Sequence, residues 1–274
     1  MPLPAPSPTT TAVITGASAG IGADIARELV SRGYGVTLVA RREDKLRELA
    51  AELSGSARAE VIACDVSDPG ARAGLLDEVE RRGLQADILV NNAGIGTMGA
   101  VKDADVADEI AQIRVNVEAV IDLTTRAVQR MVPRGRGAIL NVGSTAGFHP
   151  FPGQAGYAAT KAFVRSYTDG LRAELAGTGV TVATLNPGPV RTEFIAAAGM
   201  DEREFADAFP KFMWMPARDV ARTGIDALAG DRGSVIPGLA SQLSTRLFQL
   251  IPKRLLLPVL AKQHPALKRA SSAG

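Results

Sequence analysis

Cysteine is nearly missing from this sequence. The single copy, Cys64, excludes an internal disulfide and any cysteine-rich metal centre, and a packed apolar role is the expectation for it. Histidine is almost as scarce, with only His149 and His264, so no metal site is expected. Aromatic residues make up 4% of the chain. Charge of one sign is lacking too: 31 basic residues stand against 29 acidic ones, a balance that argues against nucleic acid as a partner. No run of about twenty apolar residues exists, so no membrane-crossing helix is expected. Residues 1–10 have neither a basic n-region nor an apolar h-region, unlike a signal peptide, and with four prolines in the first eight positions they read as a disordered leader. A cytoplasmic location follows by default. No internal repeat and no linker divides the chain.

What is present is enough apolar residue, 46% of 274, to build one large buried core. Short apolar runs alternate with helical periodicity from Thr11 to about Ile236. The runs are Thr11–Ile14, Gly35–Ala40, Ala59–Ala63, Asp87–Val90, Ala138–Val142, Val180–Leu185 and Ser234–Ile236. Helices are expected between them, among them 21–32, 43–53, 69–82, an uninterrupted 103–131, the segment bearing Tyr157, and 217–229. Strand–helix alternation of this kind specifies one α/β domain, doubly wound around a mostly parallel seven-stranded sheet. The expected boundaries are a leader over 1–10, a dinucleotide-binding catalytic domain over 11–238, and a helical, amphipathic extension over 239–274.

The first strand runs into Gly16-Ala17-Ser18-Ala19-Gly20-Ile21-Gly22, which opens the first helix. Glycines let the backbone approach a pyrophosphate, and a helix N-terminus offers free N–H groups and a positive dipole end. The spacing is GxxxGxG rather than GxGxxG. The second strand ends in Ala40-Arg41-Arg42, with no acid to hold a ribose 2′-hydroxyl but two guanidiniums matched to a 2′-phosphate, which favours NADP over NAD. The bland alternative is a solvated arginine pair facing Glu43 and Asp44. Asp65 stands at the end of the third strand, suited to an adenine amino group or to capping the turn before Pro69. Asn91-Asn92-Ala93-Gly94 closes the fourth strand, at the edge where sheets of this type bind ligands. Asn116 lies mid-helix, where a buried amide needs partners. Tyr157 and Lys161 are four positions apart and share a helix face. An ammonium beside the phenol should pull its pKa below the usual value of about 10.

In this order the motifs resemble the short-chain dehydrogenase/reductase family. Thr15 to Gly22 is similar to its TGxxxGIG turn, Asn91 to Gly94 to its NNAG, and Asn116, Ser144, Tyr157 and Lys161 to its catalytic tetrad. Pro187-Gly188 followed by Thr192 is similar to the segment that covers the nicotinamide. The resemblance spans about residues 10–237. It implies a Rossmann-like fold and an NADP(H)-dependent oxidoreductase that moves a hydride between nicotinamide and a carbonyl or secondary alcohol. It implies Tyr157 as proton donor, Lys161 as its partner and ribose ligand, Ser144 on the substrate oxygen, and Asn116 holding a water that links Lys161 to solvent. The cofactor would meet Gly16, Ser18, Ala19, Gly20, Ile21, Gly22, Arg41, Arg42, Asp65, Val66, Asn92, Ala93, Gly94, Tyr157, Lys161, Pro187, Gly188, Val190 and Thr192. The rival is a non-catalytic dinucleotide-binding regulator or scaffold, which usually loses a tetrad member.

Phe194, Phe205, Phe209, Phe212, Met213 and Trp214 cluster where the family's substrate lid falls, and suggest a bulky apolar carbonyl or alcohol substrate. Ordinary packing is the alternative. The family pairs the helices around Asn116 and Tyr157 into homodimers or homotetramers, and the small face of Ala158, Ala159 and Ala162 permits this. Residues 239–262 mix apolar and basic residues, with Pro252 and Pro258 expected to break them into short pieces. A lid over the cleft, a subunit contact and a peripheral membrane contact all remain open for this tail.

Overall fold

The computed structural model describes residues 3–199, 209–264 and 267. Seven parallel strands form one sheet: β1 Thr10–Thr15, β2 Val36–Ala40, β3 Ala59–Ala63, β4 Gln85–Asn91, β5 Gly137–Val142, β6 Val180–Leu185 and β7 Ser234–Val235. Their spatial order is β3-β2-β1-β4-β5-β6-β7. The chain leaves β1 in one direction and resumes from its other edge at β4, so a crevice opens at the carboxyl ends of these two strands.

Helices cover both faces: α1 Gly20–Ser31, α2 Glu43–Leu53, α3 Pro69–Ala73, α4 Leu75–Arg81, α5 Val106–Ile113, α6 Ala119–Met131, α7 Ala155–Glu174, α8 Phe194–Ala197, α9 Ala217–Ala229, α10 Leu239–Leu250 and α11 Lys253–Gln263. Neighbouring strand residues point to opposite faces. Ile14 and Leu38 therefore join the core under α1, α2 and α9, while Val13 and Leu89 join the core under α4, α6 and α7. A strand buried on both faces shows no polar alternation: the centre of β1 is Ala12-Val13-Ile14, and the buried hydroxyls of Thr11 and Thr15 find partners in Thr37 and the Val90 carbonyl. Each fully buried Leu or Ile contributes roughly 1.5–3 kcal/mol.

Three expected elements differ. The helix expected over 69–82 divides at Gly74, and its start is capped by Asp68, whose carboxylate accepts from the N–H groups of Gly70 and Ala71 at 2.7 and 2.9 Å. The helix expected over 103–131 begins at Val106 and contains a π turn over Arg114–Glu118. Pro258 does not break the tail but sits inside α11, where it withholds one N–H from the ladder and its ring crowds the preceding turn. Within the expected leader, Ser7 and Thr10 close a turn before β1 and Leu3 packs against the core.

Candidate active site

The cleft at the switch point has a volume of about 570 Å³. Its floor is the turn from β1 to α1. Gly16 and Gly20 hold φ of +66° and +57°, conformations that side chains resist. Gly22 does not line the cleft. A Cβ there would overlap the Gly16 carbonyl and the Asn92 amide, so its bareness is what allows the turn to close. No side chain caps α1 and its first turn carries no acid, so its N–H groups are open to an anion.

Asn91 and Asn92 divide by strand alternation. Asn92 donates to the Thr15 and Gly16 carbonyls at 2.9 and 3.1 Å, and the Thr15 hydroxyl accepts from the Asn92 and Ala93 N–H groups at 3.0 Å each. These bonds tie the β4 end to the glycine turn. Asn91 points into the core, donating to Thr124 and Asn141, while Asn141 donates to Thr168.

At the end of β2, Arg41 and Arg42 both line the cleft. Arg42 donates to the Ser18 hydroxyl at 3.1 Å and pairs with Glu193 at 2.8 Å. Asp65 faces them with Val66. Burial alone would raise the Asp65 carboxyl, but bonds from the Ser67 N–H and hydroxyl, with the Arg41 charge nearby, hold it below the usual range. Its role in the turn is an Asx bond to Ser67; Asp68 is the helix cap. The Thr192 side chain lies over Gly20, whose missing Cβ would meet Thr192 Cγ2 at 3.0 Å. Pro187, Gly188 and Val190 complete that wall.

The four tetrad residues come from three places in the chain: the π turn, the end of the β5 segment and α7. Ser144 ends β5, and its hydroxyl hydrogen-bonds the Tyr157 phenol from the first turn of α7. Lys161, one turn on and 5% exposed, donates to the Val142 carbonyl at 2.9 Å. Its Nζ stands 5.7 Å from the centre of the Tyr157 ring. Burial pushes the Tyr157 phenol up to about 12, against the smaller lowering effect of Ser144. Burial pushes the Lys161 ammonium down to about 8. The expectation that Lys161 would pull the phenol below its ordinary value is therefore corrected: both groups lose water, and that outweighs their mutual attraction.

Asn116 does not line the cleft. It is fully buried in the π turn, donating to the Ile95 carbonyl at 2.8 Å and the Thr160 hydroxyl at 3.0 Å, and accepting from the Ile95 N–H at 3.0 Å. It fastens the loop after β4 to α7.

Several contributors escaped the sequence reading. Gly147 lies so close to the Lys161 backbone that a Cβ would stand 2.6 Å from its carbonyl carbon. Gly96 leaves room for Tyr157 and Phe194, whose rings pack at 5.5 Å. The tail supplies Ser241, Ser244, Thr245 and Phe248 to the cleft. It docks through two more bare positions: a Cβ on Gly188 would overlap Ser241, and one on Gly153 would meet the His264 ring at 2.5 Å. His264 packs edge-on to Phe151 at 5.8 Å, and burial holds its imidazole below the ordinary value. Glycine in a Pro-rich loop was the only available signal, and it does not name its neighbour. Of the expected aromatic cluster, Phe194, Phe209 and Met213 line the cleft. Phe212 is 75% exposed, Trp214 packs against Phe209 and Arg191, and Phe205 lies outside the described residues.

Comparison with known proteins places this geometry among relatives. The short chain dehydrogenase family matches residues 10–203. Sulfoacetaldehyde reductase 2 of Chromohalobacter salexigens is 37% identical over 76% of this chain and 84% of its own. The NADP-dependent 3-hydroxy acid dehydrogenase of Escherichia coli is 38% identical over 66% of this chain and 73% of its own. Among solved structures, a short-chain dehydrogenase of Sphingobium yanoikuyae in complex with NADPH superposes with a TM-score of 0.77 at 31% identity, covering 89% of this chain and 97% of that one. A bulky-bulky ketone specific alcohol dehydrogenase of Comamonas testosteroni gives 0.73 at 27% identity, covering 91% and 100%.

Proposed function

The chain belongs to the short-chain dehydrogenase family and is an NADP-dependent oxidoreductase acting on CH–OH groups; from that premise we propose that it interconverts a bulky apolar ketone and its secondary alcohol. The residues present suit the cofactor. An uncapped helix N-terminus, two glycines at positive φ and two guanidiniums at the β2 end offer sites for a pyrophosphate and a 2′-phosphate. Asp65 and Val66 would meet the adenine, and Asn92, Ala93, Gly94, Pro187, Gly188, Val190 and Thr192 the nicotinamide half. Bound NADPH supplies the hydride.

The chain supplies position and a proton. Ser144 donates a hydrogen bond to the substrate oxygen as negative charge develops there. The Tyr157 phenol, protonated at neutral pH, gives its proton to the forming alkoxide. Lys161 holds the ribose hydroxyls and adds positive charge beside the phenol. Asn116 keeps the Ile95 loop against α7, so that Tyr157 and the nicotinamide wall share one fixed frame.

The observation that carries the substrate reading is the far wall of the cleft. Phe151, Phe194, Phe209, Met213 and Phe248 line it, and aromatic walls favour large apolar ligands. The deciding experiment follows NADPH absorbance with a panel of ketones graded by size. Turnover should rise with apolar bulk, and NADH should serve poorly. Equal use of NADH would remove the 2′-phosphate site; a preference for small polar aldehydes would remove the substrate class.

Self-association through α5 and α6 belongs to the same reading. Val106, Ile110, Ile113 and Ile121 expose 75%, 43%, 42% and 38% of their surface there, apolar side chains that a second copy would cover in a dimer or tetramer. Of the small α7 face, Ala158 is buried within the chain and only Ala159 and Ala162 remain accessible.

A further inference from the structure

The tail carries charge unlike the rest of the molecule. Residues 239–274 hold six Lys and Arg and no Asp or Glu, which leaves 25 basic against 29 acidic residues in 1–238. Helix α10 has two working faces. Ser241, Ser244, Thr245 and Phe248 turn into the cleft. On the opposite side Leu239, Leu243, Leu247 and Leu250 are 76%, 65%, 56% and 81% exposed, at helical spacing along one stripe. Leu255 and Val259 of α11 are exposed as well, at 60% and 50%. Single exposed leucines are ordinary; four on a twelve-residue helix form a patch that calls for a partner.

The charges bordering the stripe choose the partner. Arg246, Lys253, Arg254 and Lys262 are all exposed, and none forms an ion pair among the described residues. An apolar stripe edged by cations alone fits the boundary of an anionic lipid leaflet, where leucines enter the acyl edge and cations meet headgroups. A second copy of this chain would bring the same four exposed cations, with no acid among them, against their like, which disfavours self-pairing at this face.

We propose that the α10–α11 face seats the enzyme on an anionic membrane surface. The cleft wall and the lipid-facing stripe are then two sides of one helix, about 10 Å across. A lipophilic carbonyl leaving the leaflet would have that distance to travel to reach Phe248.

Flotation of the full chain with vesicles tests this. One set is phosphatidylcholine alone and the other contains 30–40% phosphatidylglycerol (roughly the range that gives a strong surface potential), each at low and at high salt. Wild type should float with the anionic vesicles at low salt and leave them at high salt. R246Q/K253Q/R254Q/K262Q should weaken binding by roughly several hundredfold, since each of the four cations near such a surface is worth roughly fivefold. L243S/L247S/L250S should also lose binding, while both variants still consume NADPH with a water-soluble ketone. Binding indifferent to lipid charge, no binding by wild type, or a dimer that dissociates in the leucine variant would each overturn the proposal. The readout is independent of turnover, so a failed substrate reading would leave it standing.

Discussion

At the residue scale, burial lifts the phenol of Tyr157 to about 12 in the cofactor-free cleft, which keeps it protonated at neutral pH. A donor must hold its proton until charge builds on the substrate, and this one does. Tyr157→Phe removes only that hydroxyl. NADPH oxidation with the best ketone should fall by roughly 10²–10⁴, with the circular dichroism spectrum unchanged; near-normal turnover would end the proposed role. Lys161 makes a second test through stability. Its folded pKa of about 8 lies below the usual lysine value of 10.5. Between these values the unfolded chain binds the extra proton, so the cofactor-free protein gains stability as pH rises from about 8 toward 10. Below pH 8 the full cost of burying the charge is present. Lys161→Met should flatten that rise in urea titrations and abolish turnover. A variant that keeps the same slope would show that Lys161 is not the group responsible.

At the element scale, α10 is the least anticipated part of the site. Phe248→Ala should open the wall it forms, cutting kcat/KM for the largest ketone about tenfold through KM while a small ketone is scarcely affected. An equal loss on both would mean that α10 supports the fold rather than selecting the substrate. The strands and most helices were legible because their signals are local: apolar runs for doubly buried strands, 3.6 periodicity for helices, and Gly-rich turns between them. The site motifs were legible because Gly16, Ser144, Tyr157 and Lys161 each carry their chemistry in their own type and spacing. What was not legible depends on distant contacts. The division at Gly74 and the π turn at Asn116 leave no mark on periodicity. Whether Gly96, Gly147, Gly153 or Gly188 is bare for its own φ or for a neighbour's approach is written only in the assembled structure. The phenol's raised pKa was missed for the same reason, since burial is a property of the whole cleft and the Tyr157–Lys161 spacing only of one helix turn.

At the scale of the whole molecule, the cleft draws on segments from Gly16 to Phe248. A ligand that touches so many elements should stabilise them together. NADPH at a hundred times its dissociation constant should add about 2.7 kcal/mol to the folded state and raise Tm by roughly 5–10 °C. NADH at equal concentration should do less, and a matched shift with both would argue against a 2′-phosphate contact. The residues proposed for proton donation and ribose binding, Ser144, Tyr157 and Lys161, all precede Pro187, while α10 and α11 arrive afterwards and meet Gly188 and Gly153 through Ser241 and His264. One panel of the cleft wall, Phe248 with Ser241, Ser244 and Thr245, is thus added last and docks at bare glycines. Such a panel can be cut and rejoined: α10 and α11 could be exchanged between relatives as a cassette, reshaping that side of the cleft while Ser144, Tyr157 and Lys161 keep their places.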